Sequence, residues 1–237
     1  MTTTLPPGQR RVRTFPRFGL GGPPPAVPGD PVIEIGGVLA EPLVVPVARL
    51  AELPRREVTA DFHCVSGWTA TDLRWEGVAF PAFFDAVIRP SLSAGAVVTH
   101  LVFEGLDGYR SVATIEDVLD ADVLVADQLD GRPLDSDHGA PVRLVSPAQY
   151  GYISTKHLCR IDVHTSEPRV RYHPSWRAHL GLQLVKPHPR ARVHHEERHR
   201  YLPGPVVRPV YHRLIRLFRW LNARDQTTPG QLPRSRA

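Results

Sequence analysis

Twenty-five prolines are spread through the 237 residues, many of them near the ends, and they restrict the chain to short regular elements joined by long ordered loops. A chain of this length makes one large domain, or one domain with extensions. It buries roughly 70% of the surface it would expose unfolded, so it needs no disulfide staples. Only Cys64 and Cys159 are present. An isolated pair builds neither a zinc knuckle nor a disulfide framework, and a buried inert thiol is the ordinary reading of each.

Residues 1–30 are rich in proline and glycine and read as an extended arm. From Pro31 the pattern becomes regular. VIEIGGVLAEPLVV suggests two short strands around a turn, ARLAEL a helical turn or two, and EVTADFHC an alternating strand. FPAFFDAVI is a short amphipathic helix with Pro81 near its start, where a missing N–H costs nothing. AVVTHLVFEG, DVLVADQL, VRLVSP and HLCRIDVHT complete the strands. Strands and short helices interleave without a βαβ period, so the expected class is α+β with a mixed sheet over residues 31–165. Residues 166–237 read as an irregular Pro/Arg/His-rich extension that ends in the amphipathic helix RPVYHRLIRLFRWLNAR.

Formal net charge is +5, and Lys156 and Lys186 are the only lysines. Arginine suits bidentate recognition of phosphate and carboxylate, which points to an anionic ligand or partner; charge alone fits nucleic acid equally well. In the terminal helix, however, Tyr211, Leu214, Leu217, Phe218 and Leu221 form a stripe that more simply packs on a core, so no nucleic acid is expected. The basic N-terminus has no apolar stretch behind it, and no apolar run approaches the roughly 18 residues of a membrane span. A cytoplasmic protein is expected, provided the chain is not already processed.

Four segments recur together in order: RTFPRFG, DFHCVSGWTATDLRWEGV, LDGRPLDSDHGAPVRLVSP and YGYISTKHL. They resemble the molybdopterin-binding domain of the sulfite oxidase superfamily over roughly residues 11–165. The likeness is strongest to small single-domain members, the methionine-sulfoxide reductase catalytic subunit among them. The resemblance implies a molybdenum–molybdopterin cofactor whose metal is bound by the Cys64 thiolate, with His63 beside it. A soft thiolate suits a metal that already carries sulfur ligands. In HGAPVR the resemblance puts Arg143 on the pterin's polar tail and phosphate, and His138 on the pterin. In YGYISTKHL it puts Ser154, Thr155 and Lys156 at the phosphate end, although Ile153 stands where the family usually has a lysine. Arg13 and Phe15 of the arm would lie near the cofactor, with Arg17 and Phe18 close by.

Two departures bear on the substrate. Asp127 stands where sulfite oxidases carry a tyrosine, which makes it a catalytic candidate, and CVSGWTA supplies none of the arginines that collect an anion. An acidic group near the metal would repel sulfite, so sulfite oxidation is not expected. The implied reaction is two-electron oxygen-atom transfer on a small-molecule substrate. With no haem or flavin motif, electrons would pass to or from a separate flavoprotein or ferredoxin-type partner, and the chain would act as a monomer. Two readings compete: a cofactor-free binding protein on the same fold, and a zinc hydrolase. The latter would use HEERH at 195–199, which matches the zincin pattern but is polar on every face, as a solvated helix would be.

Overall fold

The computed structural model describes residues 4–16 and 23–213; Arg17, Phe18 and the terminal stripe from Leu214 onward lie outside them. In chain order the elements are β1 (Arg10–Arg11), β2 (Val32–Gly37), β3 (Leu43–Pro46), β4 (Arg55–His63), β5 (Trp68–Ala79), α1 (Phe80–Phe83), β6 (His100–Gly105) and β7 (Arg110–Thr114). Then come α2 (Ile115–Val118), β8 (Leu124–Leu129), β9 (Arg132–Pro133), β10 (Arg143–Val145), β11 (Leu158–His164) and α3 (Trp176–Val185). Residues 204–213 are also helical.

Two mixed sheets carry the fold, in agreement with the expected α+β class. One has the order β3-β2-β11-β6-β7, with β11 parallel to β2 and antiparallel to β6. Its inner face packs Ile33, Ile35, Leu101, Phe103, Ile161 and Val163 against Phe80, Phe83 and Phe84 of the short helical stretch. Pro81 opens α1 as expected, since the first helical turn has no use for its N–H. The other sheet is built around β5, which pairs with β4 along one edge and with β8 towards its C-terminal end. At its N-terminal end β5 takes the arm: Arg10 pairs with Trp68 and Arg11 with Thr69, in parallel. This tie holds the arm to the body.

Twelve-residue β5 was not expected from the sequence. WTATDLRWEGVA alternates poorly, and Asp72 holds a left-handed backbone (φ 61°) that interrupts the pattern. Strand β7 and helix α3 were likewise unforeseen. α3 stands in the stretch read as irregular, with arginine and histidine among its ten residues.

The described part of the C-terminal stretch packs against the body. Ala191 and Val193 are fully buried in the larger core. Tyr150 N–H donates to Ala191 O (2.8 Å), Val193 N–H to Ala148 O (3.0 Å), and Tyr152 Oη to His188 O (3.0 Å).

Candidate molybdopterin site

The β4–β5 turn consists of Cys64, Val65, Ser66 and Gly67. It is closed by Cys64 N–H to Trp68 O (2.8 Å) and Gly67 N–H to Cys64 O (2.9 Å). Gly67 has φ +96°, and a Cβ there would come within 2.9 Å of Gly8 O, so only glycine allows the arm to lie on this turn. Cys64 is buried, with its Sγ 3.1 Å from Ser66 Oγ. Burial pushes its thiol pKa up, while Ser66 and the charge of Arg198 pull it down.

His63 precedes it at the end of β4. Burial, assisted by His194 and opposed by Asp61, lowers its pKa to about 4, so it is neutral at pH 7. Its Nδ1 lies 2.9 Å from Thr69 Oγ1, whose hydroxyl donates to Gln9 Oε1 (3.1 Å). A hydroxyl has one proton, so Nδ1 must be the donor, and Nε2 is left as an acceptor.

The other motifs converge on the same place. Gly151 N–H donates to His63 O (2.7 Å), and a Cβ on Gly151 would fall 2.3 Å from the Phe62 ring. YGYISTKHL and HGAPVR are laced into one unit by Leu144 N–H to Thr155 O (2.9 Å) and Leu158 N–H to Val142 O (2.8 Å). His157 Nδ1 reaches Ala140 O at 2.6 Å, and Lys156 Nζ donates to Asp137 O at 2.9 Å. Ser154 and Thr155 are buried, with Ser154 Oγ accepting from Ser146 N–H and Thr155 Oγ1 paired with Ser111 Oγ (2.8 Å).

Arg143 lies at the centre, 1% exposed. Its guanidinium donates to Leu144 O (3.3 Å), His138 O (2.8 Å) and Ser154 O (2.9 Å), and no carboxylate pairs with it among the described residues. It lies over the rings of Phe62 (5.4 Å) and Trp75 (5.1 Å). Desolvation drives its pKa down to about 9. Phe15 of the arm completes the wall, 4.9 Å from both Phe62 and His138 between ring centroids. His138 Nε2 contacts Phe15 O (3.3 Å), and Nδ1 contacts Asp135 (2.8 Å).

The sequence candidates therefore fall into two sets. Phe15, His63, Cys64, His138, Arg143, Ser154, Thr155 and Lys156 come together. Arg13 is exposed on the arm. Asp127 is set apart: it sits at the register irregularity between β5 and β8, where Arg55 clamps it with two hydrogen bonds (2.9 and 2.7 Å) while also holding Glu76. A carboxylate so neutralised is no repellent to an anion at Cys64, and that argument against sulfite fails.

HEERH is corrected too. Residues 193–196 form a turn rather than a helix, and Glu196, Arg198 and His199 are buried rather than solvated. Among the described residues no group of three His, Cys, Asp or Glu could hold a metal. Arg198, fully buried within that motif, donates through Nη1 to Val65 O in the Cys64 turn. Nothing local in RARVHHEERHR marks it, because its burial depends on contacts more than a hundred residues away. Gln9 and Trp75 were missed for the same reason.

Residues 22–172 match the family model described as the oxidoreductase molybdopterin binding domain. The chain belongs to this family. It is 30% identical over 156 residues to the uncharacterized oxidoreductase YuiH of Bacillus subtilis (strain 168), covering 65% of this chain and 76% of that one. It is 24% identical over 177 residues to the protein-methionine-sulfoxide reductase catalytic subunit MsrP of Gluconobacter oxydans (strain 621H), covering 65% of this chain but 55% of MsrP. It is 25% identical over 249 aligned residues to the NADH nitrate reductase of Solanum lycopersicum, of which it spans only 27%. The fold is similar to that of the sulfane dehydrogenase SoxCD from Paracoccus pantotrophus, with a TM-score of 0.51 at 23% identity over 60% of this chain and 40% of that one.

The residues present fit the family's cofactor. The soft thiol of the β4–β5 turn follows His63, whose carbonyl is bonded by Gly151 of the segment that also supplies Ser154 O to a buried guanidinium with no carboxylate of its own among the described residues. Of that guanidinium's five N–H protons, three meet backbone carbonyls and two remain. Among the described residues, no helix is long and apolar enough to cross a membrane.

Proposed function

We propose that the chain is a molybdenum-dependent oxidoreductase in which Cys64 is the protein ligand of the metal. The observation that carries this reading is Arg143, a buried guanidinium bonded to Ser154 O in the segment whose Gly151 N–H holds His63 O, and compensated by no carboxylate among the described residues. Such a charge is stable in a protein interior when an anion completes it. The pterin's phosphate is that anion in this reading. Ser154, Thr155 and Lys156 border the same end, and His138 and Phe15 contact the ring system. When bound, the group supplies two-electron redox change coupled to oxygen-atom transfer.

The protein's own part is to bind, orient and shield. Burial keeps the Cys64 thiol protonated until a metal displaces the proton, so loading releases a proton. Neutral His63, fixed through Thr69 and Gln9, offers Nε2 as an acceptor beside the turn. The aromatic wall of Phe15, Phe62, Trp68 and Trp75 excludes water. In this reading electrons are exchanged with a separate redox protein.

The test is molybdenum K-edge X-ray absorption on the loaded wild type and on Cys64→Ser. Cys64→Ser should keep the pterin and lose one sulfur from the metal's coordination shell, together with turnover. Equal sulfur counts in the two proteins would remove Cys64 from the metal.

A further inference from the structure

Most of the apolar surface that folding leaves bare lies beyond the matched domain, which ends at residue 172. Among the described residues nine large hydrophobic side chains are exposed, and six of them are Trp176, Leu180, Tyr201, Leu202, Val206 and Val210. The last four sit within ten residues, on the helix over 204–213 and the segment that leads into it. The inner side of that helix is fixed. Gly204 presses on Glu196 where a Cβ would not fit, and Val207 and Tyr211 are buried. Arg208 Nε donates to Glu196 Oε1 (2.9 Å), and His212 Nε2 lies 3.1 Å from Gly8 O.

Val206, Val210 and Arg213, spaced i, i+4, i+7, line the outer side, with Val206 66% and Val210 55% exposed. In the sequence the same row runs on to Leu217, which borders both stripes, and Trp220. One apolar stripe is enough to pack a helix on its own domain, and this segment carries a second. Single exposed aliphatics are ordinary; a row of them marks a surface that something covers.

Charge indicates what covers it. Residues 201–237 contain seven arginines and one acid, Asp225, whereas residues 1–200 contain 22 basic and 23 acidic side chains. The net charge of +5 therefore comes entirely from the stretch that carries the exposed row. Aliphatic and aromatic groups interleaved with arginines suit a surface that has apolar depth beneath fixed negative charge. RNA would use the arginines and leave the valines in water. A second copy would bring two strongly basic segments together.

We infer that the outer side of this helix, with Tyr201 and Leu202, docks on an anionic lipid bilayer and lies in its interface. Val206 and Val210 enter the acyl boundary, while Arg213, Arg216 and Arg219 supply charge to the lipid phosphates. The inference does not depend on the molybdenum chemistry.

The full chain is mixed with phosphatidylcholine vesicles, and with vesicles that also contain phosphatidylglycerol, and bound protein is measured by flotation. Wild type should bind the anionic vesicles at least about tenfold more tightly than the neutral ones, and added salt should weaken that binding. Val206→Asp with Val210→Asp should cost at least about tenfold, and so should Arg213→Gln with Arg216→Gln and Arg219→Gln. Circular dichroism checks folding, and if the valine variant does not fold, the arginine variant decides. No binding to anionic vesicles, equal binding to both kinds, or wild-type binding by either folded variant overturns the inference. So does dimerisation or RNA binding, in place of vesicle binding, that disappears in the valine variant. Molybdenum content should be the same in wild type and both variants, so failure of the molybdenum reading would leave the vesicle result intact.

Discussion

Replacing Arg143 by methionine should affect the cofactor-free and cofactor-loaded proteins very differently. In the cofactor-free protein the guanidinium is fully desolvated, which lowers its pKa to about 9. At about 1.4 kcal/mol per pH unit, keeping it charged costs roughly 4 to 5 kcal/mol. Three hydrogen bonds from it to backbone carbonyls are lost on substitution, worth about 1 to 1.5 kcal/mol each, or roughly 3 to 4.5 kcal/mol together. Methionine refills most of the volume against Phe62 and Trp75. The two sums nearly cancel, so the cofactor-free stability should move by no more than about 1 to 2 kcal/mol. Removing one partner of a buried ion pair would instead cost about 3 to 5 kcal/mol. On the proposed function the loaded form also loses charge-assisted contacts to the cofactor's phosphate, worth about 2 to 3 kcal/mol, or roughly 30- to 150-fold in affinity. Urea unfolding of both cofactor-free proteins, alongside pterin and molybdenum assays, reads the two numbers. A loss of 4 kcal/mol or more in the cofactor-free form, with normal cofactor content, would make Arg143 a structural residue and refute the reasoning.

Three further outcomes follow from particular contacts. Burial lowers the His157 pKa, opposed by its bond to Ala140 O, so the folded protein resists protonation there. Its contribution is intact above the unfolded pKa of about 6.5 and is lost as pH falls below it, at up to about 1.4 kcal/mol per pH unit; His157→Asn, which tolerates the left-handed backbone (φ 53°) and keeps a donor, should flatten the pH 7 to 5 stability slope measured by urea. Asp127→Asn should cost at most about 1 kcal/mol by breaking a partly exposed pair with Arg55, and leave cofactor content and turnover unchanged in direct assays. Among the C-terminal arginines, Arg192, Arg200 and Arg208 are consumed by internal acids, whereas Arg10, Arg11 and Arg13 of the arm are exposed and available to steer an acidic redox partner; replacing these three by glutamine should reduce the salt dependence of partner-driven turnover and leave dye-driven turnover alone.

The motifs were legible because each is local: HCVSG makes its own turn, and HGAPVR and YGYISTKHL bond to each other as units. Alternation disclosed β4, and short apolar runs disclosed β2, β6, β8 and β11, because those stretches themselves supply the core. What stayed hidden depends on distant contacts. β5 carries a left-handed Asp72 within it, and its N-terminal end is completed by the arm, some sixty residues earlier in the chain. Asp127 looked like an active-site acid by position, and only the approach of Arg55 from β4 shows that its charge is spent. HEERH read as a solvated helix because its letters are polar; the chain instead turns there and delivers Arg198 to a carbonyl beside Cys64, 133 positions away.

The most direct test of molybdenum chemistry is the metal and pterin content of the full chain purified from molybdenum-replete cells. The proposed function predicts about one molybdenum and one pterin per chain, with only trace zinc, and the same values for His195→Ala. Absence of both molybdenum and pterin, or one zinc per chain that disappears in His195→Ala, would contradict it.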